Sequence, residues 1–160
     1  MAIQVGDTMP EGGFGVMTEN GPGQMTTEQL FAGKRVVLFS VPGAFTPTCS
    51  MNHLPGYVDH AQAFIDKGVD TVACMAVNDV FVMDAWGKSR SVGDSVVMLA
   101  DGNGDYSKAL GLEMDGSGFG MGIRGQRFAI VVDDGKATIV AVEGPGEFKV
   151  SAAEAVLEQL

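Results

Sequence analysis

The stretch Arg35-Val-Val-Leu-Phe-Ser-Val41 continues directly into Pro42-Gly-Ala-Phe-Thr-Pro-Thr-Cys49. A continuous run of β-branched and aromatic residues is typical of a strand that is buried on both faces. The next segment carries apolar residues at spacings of four, three and four, the stripe of an amphipathic helix: Leu54, Val58, Ala61 and Ile65. The sequence therefore predicts a buried strand, a short loop and a helix in succession.

Two features set the limits of that first helix. Pro55-Gly56 lies inside the segment, and we expect it to kink the helix or to separate its first turns from the rest. Lys67-Gly68 predicts the C-terminal end, because glycine readily adopts the backbone conformation that terminates a helix.

Further elements extend from this unit in an ordered series. Strands are predicted at 69–77 and 95–99, with a helix at 81–90 between them. Two more strands, 127–132 and 136–142, flank Asp133-Asp134-Gly135, a strong hairpin turn signal. This order predicts an α/β fold with a mixed central sheet and helices on both faces.

The ends and the glycine-rich part of the chain are less regular. The first thirty residues are predicted to form an N-terminal extension with short strands. Residues 102–125 are interpreted as a long loop, interrupted by a short helix near 106–110. Ser151 is a candidate cap for a last helix, with Glu154 completing a capping box.

Composition and charge limit the class of protein. The 160 residues predict a single domain, 1–160, and 46% hydrophobic against 19% charged residues argues against disorder. A net charge of −10 argues against nucleic acid and anionic membranes as partners. The longest apolar run, 72–77, is far shorter than a membrane span. The N-terminus shows no basic patch followed by an apolar segment, so we expect a cytoplasmic protein.

The loop before the first helix holds the residues best suited to chemistry. Cys49 is predicted at a helix N-terminus, where unpaired N–H groups and the helix dipole favour thiolate over thiol. Thr46, three residues earlier, can bring its hydroxyl to the same cavity, and Pro42 and Pro47 stiffen the loop. The alternative interpretation is that these are only turn and capping residues.

The segment Val41-Pro-Gly-Ala-Phe-Thr-Pro-Thr-Cys-Ser50, followed by His53-Leu-Pro-Gly56, closely resembles the active-site segment of peroxiredoxins. It is most similar to the type-five branch, also called type II. The resemblance continues through Ala73-Cys-Met-Ala-Val-Asn-Asp79, Trp86-Gly87 and Arg127-Phe128 and covers about residues 3–142. It implies a thioredoxin-like fold and a reduction of peroxides that needs no metal or organic cofactor.

The resemblance also implies roles for four residues. Cys49 would be the peroxidatic cysteine, whose thiolate attacks the peroxide and becomes a sulfenic acid. Thr46 would hydrogen-bond and align the peroxide, and Pro42 would shield the pocket from water. Arg127 would stabilise the thiolate and the charge that develops on the leaving oxygen. From the sequence without the resemblance, Arg127 and Arg124 are both interpreted as solvated hairpin charges.

His53 and Cys74 leave alternatives open. Three roles are open for His53: a base or electrostatic partner for Cys49, a metal ligand beside it, or a packed histidine beneath the loop. The packed role is favoured. A zinc site would have to recruit Cys74 and His60, and we do not expect one. Cys74 lies in a predicted buried strand and is interpreted as a packing residue in preference to a resolving cysteine.

The regeneration step depends on the C-terminal segment beyond Val142, where no cysteine occurs. Cys74 or an outside thiol must therefore attack the sulfenic acid, and the resemblance favours glutathione or glutaredoxin, with thioredoxin second. It also implies a homodimer, with the active-site loop and residues 78–86 near the interface. The alternative function is a non-enzymatic redox sensor or partner-binding module. A disulfide reductase is disfavoured, because the sequence has no Cys-x-x-Cys.

One further motif is rejected. Gly120-Met-Gly-Ile-Arg-Gly125 matches a dinucleotide-binding pattern, but no strand is predicted before it and no helix after it. We expect this loop, with Phe119 and Met121, to form a wall of the peroxide pocket instead.

Overall fold

The computed structural model describes all 160 residues as nine strands and six α-helices, with short π- and 3₁₀-helical turns. The strands are β1 Gly13–Thr18, β2 Gly21–Thr26, β3 Arg35–Ser40, β4 Thr71–Ala76, β5 Val97–Ala100, β6 Glu113–Asp115, β7 Ile123–Gly125, β8 Phe128–Asp133 and β9 Lys136–Val142. The helices are α1 Thr27–Phe31, α2 Leu54–Asp59, α3 Ala61–Asp66, α4 Val80–Ser89, α5 Asp105–Ala109 and α6 Ala153–Gln159. None of the helices combines the length and the apolar character that crossing a bilayer requires.

Seven of the strands form one mixed sheet in the order β2-β1-β5-β4-β3-β8-β9. The central strand β3 pairs in parallel with β4 and antiparallel with β8. The antiparallel register places Ser40, the last residue of β3, opposite Phe128, the first residue of β8. The loop that leaves β3 and the residues that enter β8 therefore meet at one edge of the sheet.

Apolar layers cover both faces of this sheet. One layer contains Phe39 and Val37 of β3 and packs against α2, α3, α4 and α6. The other contains Val36 and Leu38 and packs against α1 and α5. Because β3 is buried on both sides, the prediction of a doubly covered strand and of a mixed sheet between helices is confirmed.

The N-terminal residues are part of the central sheet and do not form a separate extension. β1 and β2 form a hairpin, and β1 pairs through Gly15 with Ala100 of β5. The prediction of short strands was correct, but their placement was not, because local patterns do not reveal which distant strand a hairpin joins. The two strands complete one edge of the sheet.

The glycine-rich region is more ordered than the long loop that its composition predicts. The short helix is present as α5, but β6 and β7 follow it as a small antiparallel hairpin. Within this hairpin, the Gly116 N–H donates to the Gly122 carbonyl at 2.6 Å. Strands of three residues are too short to show a period-two pattern, and for that reason the sequence carries no signal for them.

The first long helical segment is divided in two places. A π-helical turn, Cys49–His53, gives way to α2 at Leu54, next to Pro55, so the predicted separation of the first turns from the rest is confirmed. A second interruption lies at His60, between α2 and α3, where the backbone departs from helical geometry (φ −101°, ψ 10°). The end at Gly68 is confirmed, since Lys67 follows α3 and Gly68 adopts φ +88°.

The predicted capping box of the last helix is wrong. α6 begins after Ala152, which makes no side-chain cap. The Ser151 hydroxyl instead donates to the Glu143 carboxylate at 2.6 Å, and Ser151 is fully buried. Glu143, eight residues earlier, thus replaces the capping interaction that the spacing suggested.

Candidate active site

Cys49 begins a π-helical turn at Cys49–His53 that directly precedes α2. The Leu54 N–H donates to the Cys49 carbonyl, five residues back, so this turn is wider than an α-helical one. The loop before it closes through the Ser50 N–H, which donates to the Thr46 carbonyl at 2.9 Å. Cys49 is fully buried beneath this loop.

Arg127, the residue that directly precedes β8, contacts the sulfur of Cys49. Its Nη2 group donates to Sγ at 3.1 Å, although the two residues lie 78 positions apart in the sequence. The pairing of β3 with β8 brings them together, because it aligns the end of one strand with the start of the other. A guanidinium N–H at this distance is placed to stabilise a thiolate by a charge-assisted hydrogen bond.

His53 holds the other side of the same guanidinium. Arg127 Nη1 donates to His53 Nδ1 at 2.7 Å, while His53 Nε2 lies 3.1 Å from the Ser151 carbonyl. Because a carbonyl can only accept, Nε2 carries the ring proton and Nδ1 is a free acceptor. The favoured interpretation of His53 as a buried, packed histidine agrees with this geometry.

Burial keeps this imidazole neutral. Desolvation is the largest influence and, with the charge of Arg127, lowers the pKa of His53 from 6.5 to about 3, against the opposing effects of the Ser151 carbonyl and Glu143. Both ring nitrogens are engaged, and neither faces the sulfur of Cys49. His60, the other histidine, lies 3.6 Å from the Glu154 carboxylate and takes no part in the site.

Glu143 organises the chain segment on the far side of His53. Its carboxylate accepts from the Lys149 N–H at 2.6 Å and from the Ser151 N–H at 2.9 Å, in addition to the Ser151 hydroxyl. Burial by itself raises the pKa of Glu143, but the hydrogen bonds from Ser151, Lys149 and Val150 outweigh it and lower the pKa. The segment also places the Phe148 ring 5.8 Å from the Arg127 guanidinium.

A groove of about 510 Å³ has Arg127 in its wall, while Cys49 is not among the residues that line it. Ten residues line it: Pro42, Thr48, Met114, Gln126, Arg127, Glu143, Gly144, Pro145, Gly146 and Glu147. Pro42 and Arg127 therefore face the same open space. Met114, which lies in β6, comes from the glycine-rich region.

Thr46 is half-buried, and its hydroxyl donates to the Gly43 carbonyl at 2.7 Å. The hydroxyl hydrogen is committed to this contact, so the oxygen lone pairs are left to accept a hydrogen bond. Cys49, Thr46, Pro42 and Arg127 all lie at the loop edge of β3 and β8, where the sequence predicted a site.

Arg124 is a structural anchor and not the solvated hairpin charge that the sequence suggested. Its Nε donates to the Met121 carbonyl at 2.9 Å, and its Nη1 donates to the Pro42 carbonyl at 3.2 Å. Gly43 leaves room for this arm, since a Cβ there would lie 2.9 Å from Nη1. No local sequence pattern signals such a contact across 82 residues.

Phe119 and Met121 do not take part in this groove, and their place in the wall of the peroxide pocket stays a prediction. Phe119 is 86% exposed, and neither residue is among those that line the groove. The hairpin of β6 and β7 turns Met114 toward the groove instead.

Cys74 lies in β4 opposite Phe39 of β3 and is fully buried in the same apolar cluster as Cys49. Burial, and secondarily the proximity of Cys49, raise the pKa of Cys74 well above its usual range. Cys74 is therefore held as a neutral thiol in the folded protein.

A second contact, which the sequence did not reveal, fixes the π-helical turn to α4. The Trp86 indole N–H donates to the Ser50 hydroxyl at 2.8 Å, and both side chains are buried. The resemblance places Trp86 within a matching block, but nothing in the sequence pairs it with Ser50.

Comparisons with known proteins agree with one another. A family model described as Redoxin matches residues 4–157. Peroxiredoxin-2B of Arabidopsis thaliana is 48% identical over 159 residues, which cover 99% of this chain and 98% of that protein. The crystal structure of reduced Prx3 from Vibrio vulnificus in complex with H₂O₂ is similar with a TM-score of 0.95 and 49% identity, covering 98% of each chain.

The expectation of a cytoplasmic location is wrong as a conclusion from this sequence. Peroxiredoxin-2E of Arabidopsis thaliana, which is chloroplastic, is 42% identical over 163 residues and covers 99% of this chain and 70% of that protein. The mitochondrial Peroxiredoxin-2F of the same plant is 41% identical over 132 residues, covering 82% of this chain and 66% of that protein. Relatives of this domain therefore occur in several compartments.

Proposed function

The chain belongs to the redoxin family and, within it, to the type II peroxiredoxins, and from that premise we propose that Cys49 is its peroxidatic cysteine. Thiol peroxidase activity is the function of this family and is supported for this chain by the same relatives. One observation carries the assignment to Cys49: Arg127 Nη2 lies 3.1 Å from its sulfur, next to an open groove.

The reaction follows from this geometry. The Cys49 thiolate attacks one peroxide oxygen in line, so that an S–O bond forms as the O–O bond breaks. The cysteine is oxidised to a sulfenic acid, and the departing oxygen takes a proton and leaves as water or an alcohol. The charge that develops on this oxygen is stabilised by the Arg127 guanidinium, which needs no reorganisation to do so.

Thr46 and Pro42 prepare the peroxide for attack. The Thr46 hydroxyl hydrogen points to the Gly43 carbonyl, so its oxygen is available to accept from the peroxide O–H. Pro42 lines the groove and limits access of water to the sulfur. Both effects act by orientation, which converts an encounter into a reactive geometry.

The substrates that we propose are hydrogen peroxide and small alkyl hydroperoxides. The similar Vibrio vulnificus protein was crystallised with H₂O₂, which supports the smallest member of this class. The groove that Arg127 lines is open to solvent, which gives a small peroxide access to the site.

For regeneration we propose an outside thiol, with glutathione or glutaredoxin first and thioredoxin second. The thiol attacks the sulfenic sulfur, water leaves, and a mixed disulfide forms; a second thiol then releases the Cys49 thiol and an oxidised donor disulfide. No cysteine occurs after Val142, and Cys74 is a buried neutral thiol with a raised pKa. These two facts support an external reductant.

We also propose a homodimer in which the active-site loop lies near the interface. Phe45 and Phe81 are 55% and 63% exposed, an unusual state for large apolar rings. Their segments are joined by the Ala44 N–H, which donates to Asn78 Oδ1 at 3.0 Å. The two rings therefore belong to neighbouring parts of one surface.

The first test is direct detection of the oxidised sulfur. One equivalent of hydrogen peroxide is added to the reduced protein, a sulfenic-acid reagent traps the product, and peptide mass locates the adduct. We expect the adduct on Cys49, its loss in Cys49→Ser, and its retention in the matched control Cys74→Ser. Peroxidase activity in Cys49→Ser would refute the assignment.

Turnover then identifies the reductant. NADPH consumption is followed with glutathione plus glutaredoxin, and separately with thioredoxin, at equal peroxide concentration. Sustained turnover with the first system supports the proposed order, and faster turnover with thioredoxin reverses it. Formation of the adduct without turnover by any donor would favour the alternative function, a redox sensor.

A further inference from the structure

We infer that His53, Ser151 and Glu143 form a positioning relay that holds Arg127 against the sulfur of Cys49 while leaving the charge of the arginine uncompensated. The inference rests on the proposed function, since it concerns how the Cys49 site is maintained. It goes beyond that function because none of these three residues touches the reacting atoms. They are positioning residues, acting on Cys49 through Arg127.

The first link of the relay is the bond between Arg127 and His53. Nη1 of the guanidinium donates to His53 at 2.7 Å while Nη2 donates to the sulfur at 3.1 Å. A guanidinium is planar and rigid, so fixing one of its terminal nitrogens fixes the direction of the other. His53 therefore determines where the N–H that faces Cys49 points.

The second link is the choice of a neutral acceptor. Arginine is most often held in proteins by a carboxylate, which would neutralise its charge beside the thiolate. An imidazole lone pair orients the guanidinium equally well and removes none of its positive charge. Arg127 is half-buried, but the sulfur of Cys49 and the ring of His53 that it contacts are fully buried, and an uncompensated charge acts more strongly on groups at low dielectric.

The third link selects the tautomer. His53 presents a bare Nδ1 to Arg127 because its Nε2–H donates to the Ser151 carbonyl at 3.1 Å. The same carbonyl accepts from the Tyr57 hydroxyl at 2.7 Å, so two buried donors converge on one oxygen. The position of this carbonyl therefore determines which ring nitrogen carries the proton.

Glu143 closes the relay by fixing Ser151. Its carboxylate receives both the backbone N–H and the hydroxyl of Ser151, together with the Lys149 N–H. The negative charge of Glu143 thus faces the backbone of residues 149–151. Arg127 itself is contacted by the neutral imidazole of His53. An acidic residue supports the arginine without forming an ion pair with it.

Two substitutions of His53 separate the links. In His53→Asn the short amide places an acceptor near the position of Nδ1, so the contact to Arg127 can be kept. In His53→Gln the longer amide reaches the position of Nε2, so the contact to Ser151 can be kept and that to Arg127 is lost. His60→Gln is the matched control, since His60 faces Glu154 on the surface.

The measurements are kcat/KM with hydrogen peroxide and the pH midpoint of Cys49 alkylation by iodoacetamide, made on Cys74→Ser protein. We expect His53→Gln to lose about 10- to 100-fold in kcat/KM and to shift the alkylation midpoint upward. His53→Asn should recover most of both quantities, and His60→Gln should change neither. Equal values for the two His53 variants, or an unmoved midpoint, would overturn the inference.

A double-mutant cycle distinguishes positioning from mere stability. If His53 acts through Arg127, His53→Gln should cost no further activity in an Arg127→Gln background. Glu143→Gln should lower kcat/KM less than His53→Gln does. This decrease should also vanish in the Arg127→Gln background. An additional loss from either substitution without Arg127 would refute the relay.

Failure of the proposed function is a separate result. If the wild-type protein shows no peroxide turnover while its alkylation midpoint still responds to His53→Gln, the relay stands and the peroxidase assignment falls. If His53→Gln does not fold, Glu143→Gln and its cycle with Arg127→Gln provide the same test from the other end.

Discussion

At the scale of single residues, the site contains two buried groups that contact the same cation. Cys49 is fully buried, and the guanidinium of Arg127 donates to its sulfur at 3.1 Å. His53 is equally buried, and there burial and the same arginine act together to keep the ring neutral. The one cation thus contacts the sulfur and at the same time opposes protonation of the imidazole.

The neutral His53 gives the protein a defined sensitivity to acid. Between pH 6.5 and about 3 the unfolded chain binds a proton at this residue that the folded chain does not. The contribution of the neutral His53 to the free energy of unfolding is therefore fully present above pH 6.5. It decreases as the pH drops below this value, by about 1.4 kcal/mol for each pH unit. The lowered pKa of Glu143 adds a loss in the same direction only below its usual value of 4.5.

Urea unfolding at pH 7, 6 and 5 measures this effect within the window that belongs to His53. We expect the free energy of unfolding of the wild-type protein to decrease across the series, and that of His53→Asn to change much less. The matched control His60→Gln should follow the wild type. Parallel curves for all three proteins would show that His53 does not remain neutral in the folded state.

At the scale of elements, the π-helical turn Cys49–His53 and helix α4 act as one unit. The Ser50 hydroxyl in the turn receives the only indole N–H of the protein, that of Trp86. Both groups are buried, so neither has water as an alternative partner. This hydrogen bond connects Ser50, the residue after Cys49, to helix α4.

Removal of this acceptor should destabilise the protein without touching the reacting atoms. Ser50→Ala leaves a buried indole N–H without a partner, for which we expect a loss of about 1–3 kcal/mol in the free energy of unfolding. Ser89→Ala is the matched control: it removes a bond to the Trp86 carbonyl, which still accepts from the Arg90 N–H. We expect a smaller loss there, and equal losses in urea unfolding would contradict the proposed importance of the indole bond.

The elements that the sequence predicts well are those with a strong period or a strong turn. The sequence predicted β3, β9 and the end of α3 at Gly68. Each of them is determined by residues that are neighbours in the chain: an apolar run for a strand, and a glycine for the end of a helix. The π-helical turn was not predicted, since its extra residue per turn leaves no mark in the apolar spacing. The Ser151 cap failed for a related reason, because Glu143 outcompeted the local partner.

At the scale of the whole molecule, the site is a product of strand order. Cys49 and Thr46 could be selected as candidates from their spacing, but Arg127 depended on family resemblance, because its approach to the sulfur requires the pairing of β3 with β8. The contacts of Arg124 with Pro42 and of Ser151 with His53 were not predicted, since they join segments 82 and 98 residues apart. Tertiary structure alone reveals such partners.

Assembly can be tested by sedimentation equilibrium of the reduced protein. We expect a species of twice the 16.7 kDa chain mass. Phe81→Asp should shift the population toward a single chain, because a carboxylate replaces an apolar ring on the proposed interface. Ile65→Asp, at an exposed apolar residue of α3, is the control and should leave the mass unchanged. A wild-type mass of 16.7 kDa would refute the dimer.

The separation of Cys49 from Arg127 by 78 residues has a consequence for a chain still on the ribosome. At translation rates of about 5–20 residues per second, the thiol is synthesised roughly 4–16 s before the arginine. During that interval it has neither the buried pocket nor its cation, so it reacts as an ordinary cysteine. The contact that is placed to stabilise the thiolate therefore forms only when β8 docks on β3, so we expect the nascent chain to react more slowly with peroxide than the finished protein.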